Sequence, residues 1–361
     1  MFKLFAARRR KRAPREATPQ LTTYQRRALE YAGVPPSAIT YAAYDQMEQD
    51  AMVQTALTVK KLGVLAAPYK VVPAGDSDAA KRNAEFVEEN FAIMEGSPHS
   101  ILYQAMDAFA KGWSAQELVF ATDGKRLVLR SVRPKDPSLF GLEVDEFGNV
   151  ASLRLQLPGE QPREVPRSRF VLYLNRASYG RAKGRSDLDA AYRHWQAKQG
   201  LLTAWKLHLE RFASPTVLGK FERGLSAEEQ AAILAALQNL HEHTAIVYPE
   251  EISIDTVGGE KEASSGFMEA VEFHNREMAR SILGQTLTTD EGKRVGSLAL
   301  GKVHLSVLLL QLESVRRELA DAVMTEQVIR PLVELNFGQG EIPKFEFEPT
   351  LVSAFASGEI A

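Results

Sequence analysis

At 361 residues the chain is long enough to bury a full hydrophobic core and could form one large domain or two or three small ones. Hydrophobic residues at 45% and charged residues at 25% are ordinary globular values. The formal net charge of −2 offers no global attraction to nucleic acid, which argues against a conventional sequence-reading DNA binder but not against a protein that surrounds DNA without gripping it.

The absence of cysteine excludes disulfides, thiolate chemistry and cysteine-ligated metal. No apolar run approaches the roughly 18 residues that span a bilayer, so the sequence reads as soluble, with no membrane partner.

Residues 1–20 stand apart as a basic arm. Arg8, Arg9, Arg10, Lys11 and Arg12 follow a short apolar patch of Phe2, Leu4 and Phe5. A signal peptide has the reverse order and a longer apolar stretch. The run reads either as a solvated, disordered arm or as an electrostatic tether to nucleic acid or an acidic partner.

From Thr22 to Ile93 the pattern is mostly helical. Pro68 breaks a helix near Ala66-Ala67, because it lacks an N–H and biases Ala67 toward extended geometry, and Tyr69–Val72 reads as a strand. Residues 76–93 read as a surface helix with Phe86 and Val87 inward, and Ser100–Lys111 as another, closed by Gly112.

Residues 113–175 change period. Ala115–Ala121 and Leu127–Val132 flank Asp123-Gly124, a strong hairpin signal. Strands near Phe140–Val144 and Val150–Leu157 flank a second turn, and Phe170–Leu174 follows the Pro166 break. The expectation is one small antiparallel unit of hairpins with a structural role.

A long helix follows over 184–212. Ser186 suits its N-cap, and Asp187 and Asp189 suit the positive end of its dipole. Leu188, Tyr192, Trp195, Leu202, Trp205 and Leu209 give it a broad apolar face, read as core or subunit contact. Residues 214–258 look like an inserted lobe. Val217–Phe221, Ala245–Tyr248 and Ile252–Val257 read as strands, and Ser226 and Glu229 make a capping box for a helix between the first two. Phe267, Val271, His274, Met278 and Ile282 then mark one face of another long helix, and Leu305, Leu308, Leu312, Val315, Leu319 and Val323 mark a third.

Catalytic motifs do not assemble. Gly292-Lys293 with Gly296-Ser297 lacks phosphate-loop spacing and sits between helices. His241 and His243 are two apart and face different sides of a helix, unlike zinc ligands at i, i+4. His274 and His304 lie on or beside apolar faces, as hydrogen-bonded packing histidines do. The sequence predicts no enzyme, no cofactor and no metal site.

The segment Gly284–Gly301, GQTLTTDEGKRVGSLALG, joins the last two long helices and carries four glycines and three threonines. The run LGQTLTTDEGKRVGSLALGKVH, followed by PLVELNFG and IPKFEF, resembles the Mu-type family of tailed-phage portal proteins. The resemblance extends from about Met47 to Glu348, and GQTLTT, GSLALG and LVELNFG are its most specific parts. It implies an α+β portal-like fold that assembles as a ring. In family order this places a wing of helices and hairpins at 21–183, stem helices at 184–213 and 261–283, and a small α/β clip at 214–260. A tunnel loop at 284–301 and a return helix with a C-terminal wing strand at 302–361 complete it. The shorter length predicts a reduced or absent crown.

The implied function is a conduit at the capsid vertex through which double-stranded DNA is packaged and ejected. The implied partners are a homo-oligomeric ring of about twelve subunits, the terminase large subunit, head-completion and adaptor proteins, and the major capsid and scaffolding proteins. The implied location is the virion, with the host cytoplasm during assembly. Within the loop, Gln285, Thr286, Thr288, Thr289, Asp290, Glu291, Lys293, Arg294 and Ser297 are the expected DNA-channel residues. The 290–295 run departs from the family pattern, so the roles of Lys293 and Arg294 rest on chemistry alone. The rival expectation is a structural ring of a tail or baseplate that never meets DNA.

Overall fold

The computed structural model describes residues 39–178, 183–213, 217–221, 224, 226–241, 245–249, 262–285 and 298–349. In chain order the helices and strands are α1 Tyr41–Glu48, α2 Ala51–Leu65, β1 Tyr69–Val72, α3 Asp78–Ile93, α4 Pro98–Ala105, α5 Ala108–Lys111, β2 Trp113–Asp123, β3 Arg126–Lys135, β4 Phe140–Val144, β5 Val150–Leu155, β6 Arg163–Pro166 and β7 Phe170–Leu174. Then come α6 Leu188–Ala213, β8 Val217–Phe221, α7 Ala227–His241, β9 Ala245–Pro249, α8 Glu262–Leu283 and α9 Leu298–Glu318. A π-helical stretch, Leu319–Ile329, leads into α10 Arg330–Phe337 and β10 Lys344–Phe347. The chain divides into one unit formed by residues up to Asp189 and from Ala279 onward, and a second formed by Ala190–Met278.

In the first unit the helix starts are set by short polar side chains. Thr40, Asp50 and Ser77 accept from Ala43, Met52 and Ala80 backbone N–H groups, and Ser97 and Ser100 form a reciprocal capping box. Pro68 ends the segment after α2 as expected. β1 then pairs antiparallel with β10, Tyr69 facing Phe347 and Val72 facing Lys344.

The hairpin region is where the expectation of a single sheet fails. It forms two three-stranded antiparallel sheets, ordered β3-β2-β7 and β4-β5-β6. β6 went unrecognised because Arg163-Glu164-Val165-Pro166 offers only one apolar residue with the period of a strand. The two sheets share one core in which Trp113, Ala115, Phe170 and Leu172 meet Phe140 and Leu153.

Side-chain amides close both outer edges of the β3-β2-β7 sheet. Asn336 accepts from Leu127 N and donates to Leu127 O, each at 2.8 Å. Asn90 makes the same pair with Leu129, at 3.2 and 3.4 Å. On the opposite edge Gln327 accepts from Leu172 N at 2.8 Å and donates to Leu172 O at 2.9 Å. Each amide presents a donor and an acceptor in the geometry of a neighbouring strand, so the edge groups are satisfied without exposing a pairing template.

The resemblance implies a bent helix over 302–335, and the structure places a π-helical stretch within it. Pro331 has no N–H to give to the residue 327 carbonyl. The ladder widens ahead of it, so that Arg330 N–H reaches Thr325 O, and the Gln327 side chain donates to Ala322 O. Thr325 Oγ1 accepts from Phe345 N at 3.0 Å and fixes β10.

In the second unit β8 and β9 pair in parallel around α7, a βαβ arrangement that fits an α/β lobe. The expected capping box is present: Glu229 N donates to Ser226 Oγ, and Ser226 N to Glu229 Oε2. The strand expected over 252–257 lies outside the described residues.

Candidate functional site

The segment joining α8 and α9 leaves from a firmly packed base. Met278, Ala279, Ile282 and Leu283 at the end of α8 are fully buried, and Leu308 and Leu312 on α9 are nearly so. Gly284 closes α8 at φ +70, its N–H donating to Arg280 O at 2.9 Å. A Cβ at this position would meet Gln311 Nε2 at 2.5 Å. Glycine is therefore favoured by the backbone conformation, while the Gln311 amide, at the end of a flexible side chain, could shift to admit a Cβ.

Across the unit, Gly63 of α2 lets Leu312 come so close that a Cβ there would stand 2.7 Å from it. Arg316, buried beside it, donates to Val64 O at 3.0 Å and Gly63 O at 2.5 Å. It thereby satisfies carbonyls at the end of α2 that the helix cannot.

The start of α6 is fixed by a buried charge cluster. The Asp187 carboxylate, fully buried, faces Lys60 Nζ at 2.5 Å, Asn175 Nδ2 at 3.0 Å and Arg176 Nε at 3.3 Å. Its backbone carbonyl accepts from Ser281 Oγ of α8 at 2.7 Å, and its N–H donates to Phe109 O at 2.8 Å. Asp189 accepts from Tyr44 OH at 2.6 Å.

Burial lowers the Lys60 pKa, and the Asp187 carboxylate opposes that fall. Burial, then the Asp189 hydrogen bond, pushes the Tyr44 phenol far above its usual range. Ser186 behaves as the expected cap, accepting from Leu188 N at 2.9 Å and donating to Ala110 O at 2.5 Å. Asp187, expected at the helix dipole, instead holds three elements together from the inside. Its position directly after a good N-cap gave no sign of that, since the partners of its carboxylate come from residues 60, 175 and 176.

Of the nine expected channel residues, Gln285 is described. It is buried, 3% exposed, immediately after the Gly284 turn. It therefore belongs to the anchor of the segment and not to a solvent-facing tip. Thr286, Thr288, Thr289, Asp290, Glu291, Lys293, Arg294 and Ser297 lie outside the described residues, as do Arg8, Arg9, Arg10, Lys11 and Arg12. His243 and the His304 side chain lie outside them too. His274 is the hydrogen-bonded packing histidine expected, 3.0 Å from His194 between ring Nδ1 atoms. Among the described residues no three metal-ligating side chains converge, and no helix is long and apolar enough to cross a membrane.

The chain is similar to the portal protein of Escherichia phage Mu, 25% identical over 305 residues that cover 81% of this chain and 56% of the relative. It is equally similar, at 25% over 328 residues, to the Mu-like prophage FluMu protein gp29 of Haemophilus influenzae, covering 88% of this chain and 62% of that one. The chain thus spans about three fifths of the length of these relatives. Its fold resembles a chain in the neck of a native gene transfer agent particle computed with C12 symmetry, with TM-score 0.61, 12% identity and 92% of each chain covered. It also resembles one in the neck of an empty particle computed with C6 symmetry, with TM-score 0.60, 13% identity and coverage of 92% and 91%. The family model for the portal protein of Mu bacteriophage matches residues 41–353, and the chain belongs to that family.

Proposed function

We propose that the chain is the subunit of a portal ring, a non-enzymatic conduit at the capsid vertex through which double-stranded DNA enters and leaves the particle. Family membership across residues 41–353 is the observation that carries this reading. In it, residues 21–183 and 302–361 form the wing, α6 and α8 the stem, 214–260 the clip, and 284–301 the tunnel loop, with Gln285 as its anchor. The terminase large subunit docks on the clip during packaging and head-completion proteins replace it afterwards. Capsid and scaffolding proteins surround the wing. The ring assembles in the host cytoplasm and remains in the virion.

The loop chemistry fits a channel that must not grip. Asp290 and Glu291 offset Lys293 and Arg294, so the loop carries no formal charge. Each neutralised phosphate would add a resisting contact, because phosphate neutralisation is what makes nucleic-acid binding strong. Threonine hydroxyls offer neutral hydrogen bonds instead. Large apolar side chains stay exposed on the subunit, with Leu207 61%, Phe273 48% and Leu310 72% exposed, and a ring covers such surface with its neighbours.

Electron-microscopy class averages of the purified chain, with light scattering, test this. A closed ring, of about twelve subunits, is expected. A monodisperse monomer at micromolar concentration overturns the reading.

A further inference from the structure

Two patches of opposite charge are left uncompensated on the first unit. The cationic one stands where β7 leads into α6. Residues 176–186 contain no aspartate or glutamate, and Arg176, Lys183 and Arg185 are all exposed. Their backbone is tied into a closed neck. Arg185 N donates to Asn175 O at 2.8 Å, Asn175 Nδ2 donates to Arg185 O at 2.8 Å, and Asn175 N donates to Gly112 O at 2.9 Å. Gly184 lies so close to Asn175 O and Gly112 O that no Cβ fits there, and Arg176 is held at φ +49, a conformation side chains rarely adopt. Like charges on so firm a base repel without being free to separate.

The neighbouring acids do not relieve them. Asp187 is buried against Lys60 and Arg176, and Asp189 accepts from Tyr44. Lys183 Nζ stands 5.7 Å from the Tyr41 ring, and among the described residues neither it nor Arg185 forms an ion pair.

The anionic patch is on α3. Glu85, Glu88 and Glu89 are exposed at spacings of three and four, and none forms an ion pair among the described residues. Like charges at this spacing destabilise a helix. They also lie toward the negative, C-terminal end of the helix dipole, and the last turn holds no basic residue to offset it. Each patch is therefore unfavourable in a lone subunit, and each supplies what the other lacks.

We propose that the two patches meet between copies of the chain: the Arg176, Lys183 and Arg185 neck of one subunit seats on the Glu85, Glu88 and Glu89 face of α3 in its neighbour. This rests on the ring reading and names surfaces that join successive subunits. Two different patches carried by every copy make a head-to-tail contact, the kind that closes rings. A second copy suits the neck better than DNA does, because a cationic contact repeated in every subunit would resist a moving polyanion.

Assembly is followed by light scattering and electron microscopy over a protein concentration series. The proteins are the wild type, Lys183→Glu/Arg185→Glu, Glu85→Lys/Glu89→Lys, and the variant carrying all four changes. Arg176 is left in place because Asp187 uses it. Each double variant should need about tenfold more protein or higher to assemble, since like charges then face each other. The fourfold variant, with the pair reversed, should recover most of that loss, which damage to the fold cannot do. Lys183→Gln/Arg185→Gln should weaken assembly in the same direction by less, and carries the test if a reversal lowers the melting temperature. A wild type that assembles while both double variants assemble equally well, or a fourfold variant no better than the doubles, overturns the contact and leaves the ring standing. A wild type that never assembles overturns both. Binding of a short DNA duplex that is lost in Lys183→Glu/Arg185→Glu, with assembly unchanged, gives the neck to DNA and likewise overturns the contact.

Discussion

Asp187 shows what one residue carries here. Removing a partner from a buried ion pair leaves an uncompensated charge, and costs about 3–5 kcal/mol where nothing else compensates. Asp187→Leu leaves Lys60 buried over the Phe109 ring without its carboxylate, and should lower the melting temperature severely. Lys60→Met should cost less, because Asn175 and Arg176 still hold the carboxylate. The double variant Lys60→Met/Asp187→Leu should be more stable than Asp187→Leu alone, since both charges are gone. Thermal unfolding of the three proteins checks the order. If the single and double variants melt together, the cluster contributes no pairwise stability.

Gly184 is the second such residue. It sits at φ +57, and a Cβ would stand 2.5 Å from both Asn175 O and Gly112 O, which are backbone atoms that cannot step aside. Gly184→Ala should cost about 3 kcal/mol or more and reduce soluble yield. Neither residue was legible in the sequence, because each depends on atoms brought from far along the chain. Ser186 and the Ser226–Glu229 box were legible, because a cap is settled within four residues.

At the scale of elements the division is the same. The Asp123-Gly124 hairpin, the Tyr69–Val72 strand and the two long amphipathic helices were readable from period and turn chemistry, which act locally. The β1–β10 pairing and the split into two sheets were not, since register between distant strands is set by packing. The amide edge caps belong to this class, and their worth is measurable. Asn90→Ala and Asn336→Ala each leave a β3 donor and acceptor without their partner, at about 1–3 kcal/mol apiece. They serve Leu129 and Leu127, neighbours on one edge, so fraying begun by one loss should already include part of the other. The double variant should therefore lose less than the sum of the two singles in a denaturant titration. Full additivity would mean that the two caps act on independent stretches of edge.

For the whole molecule the question is whether the 284–301 segment meets DNA, and the anchor geometry makes a clean test possible. Met278, Ile282, Gly284 and Gln285 hold one end and Leu308, Leu312 and Arg316 hold the other, so changes between Thr288 and Gly296 leave both anchors untouched. Replacing Asp290 and Glu291 with lysine changes the formal charge of the segment from zero to +4. A polyanion passing such a ring meets a repeated cationic contact in every subunit. The rings should assemble with normal appearance, while DNA packaging slows or stalls, and the defect should ease as salt rises because these contacts are screened. Deleting 288–296 should also spare the ring but impair packaging or retention of the genome. Assembly is read by electron microscopy, and packaging by nuclease-protected DNA at several salt concentrations. Intact rings that package and retain DNA normally in both variants would remove the segment from the channel and return the chain to the class of rings that never touch DNA.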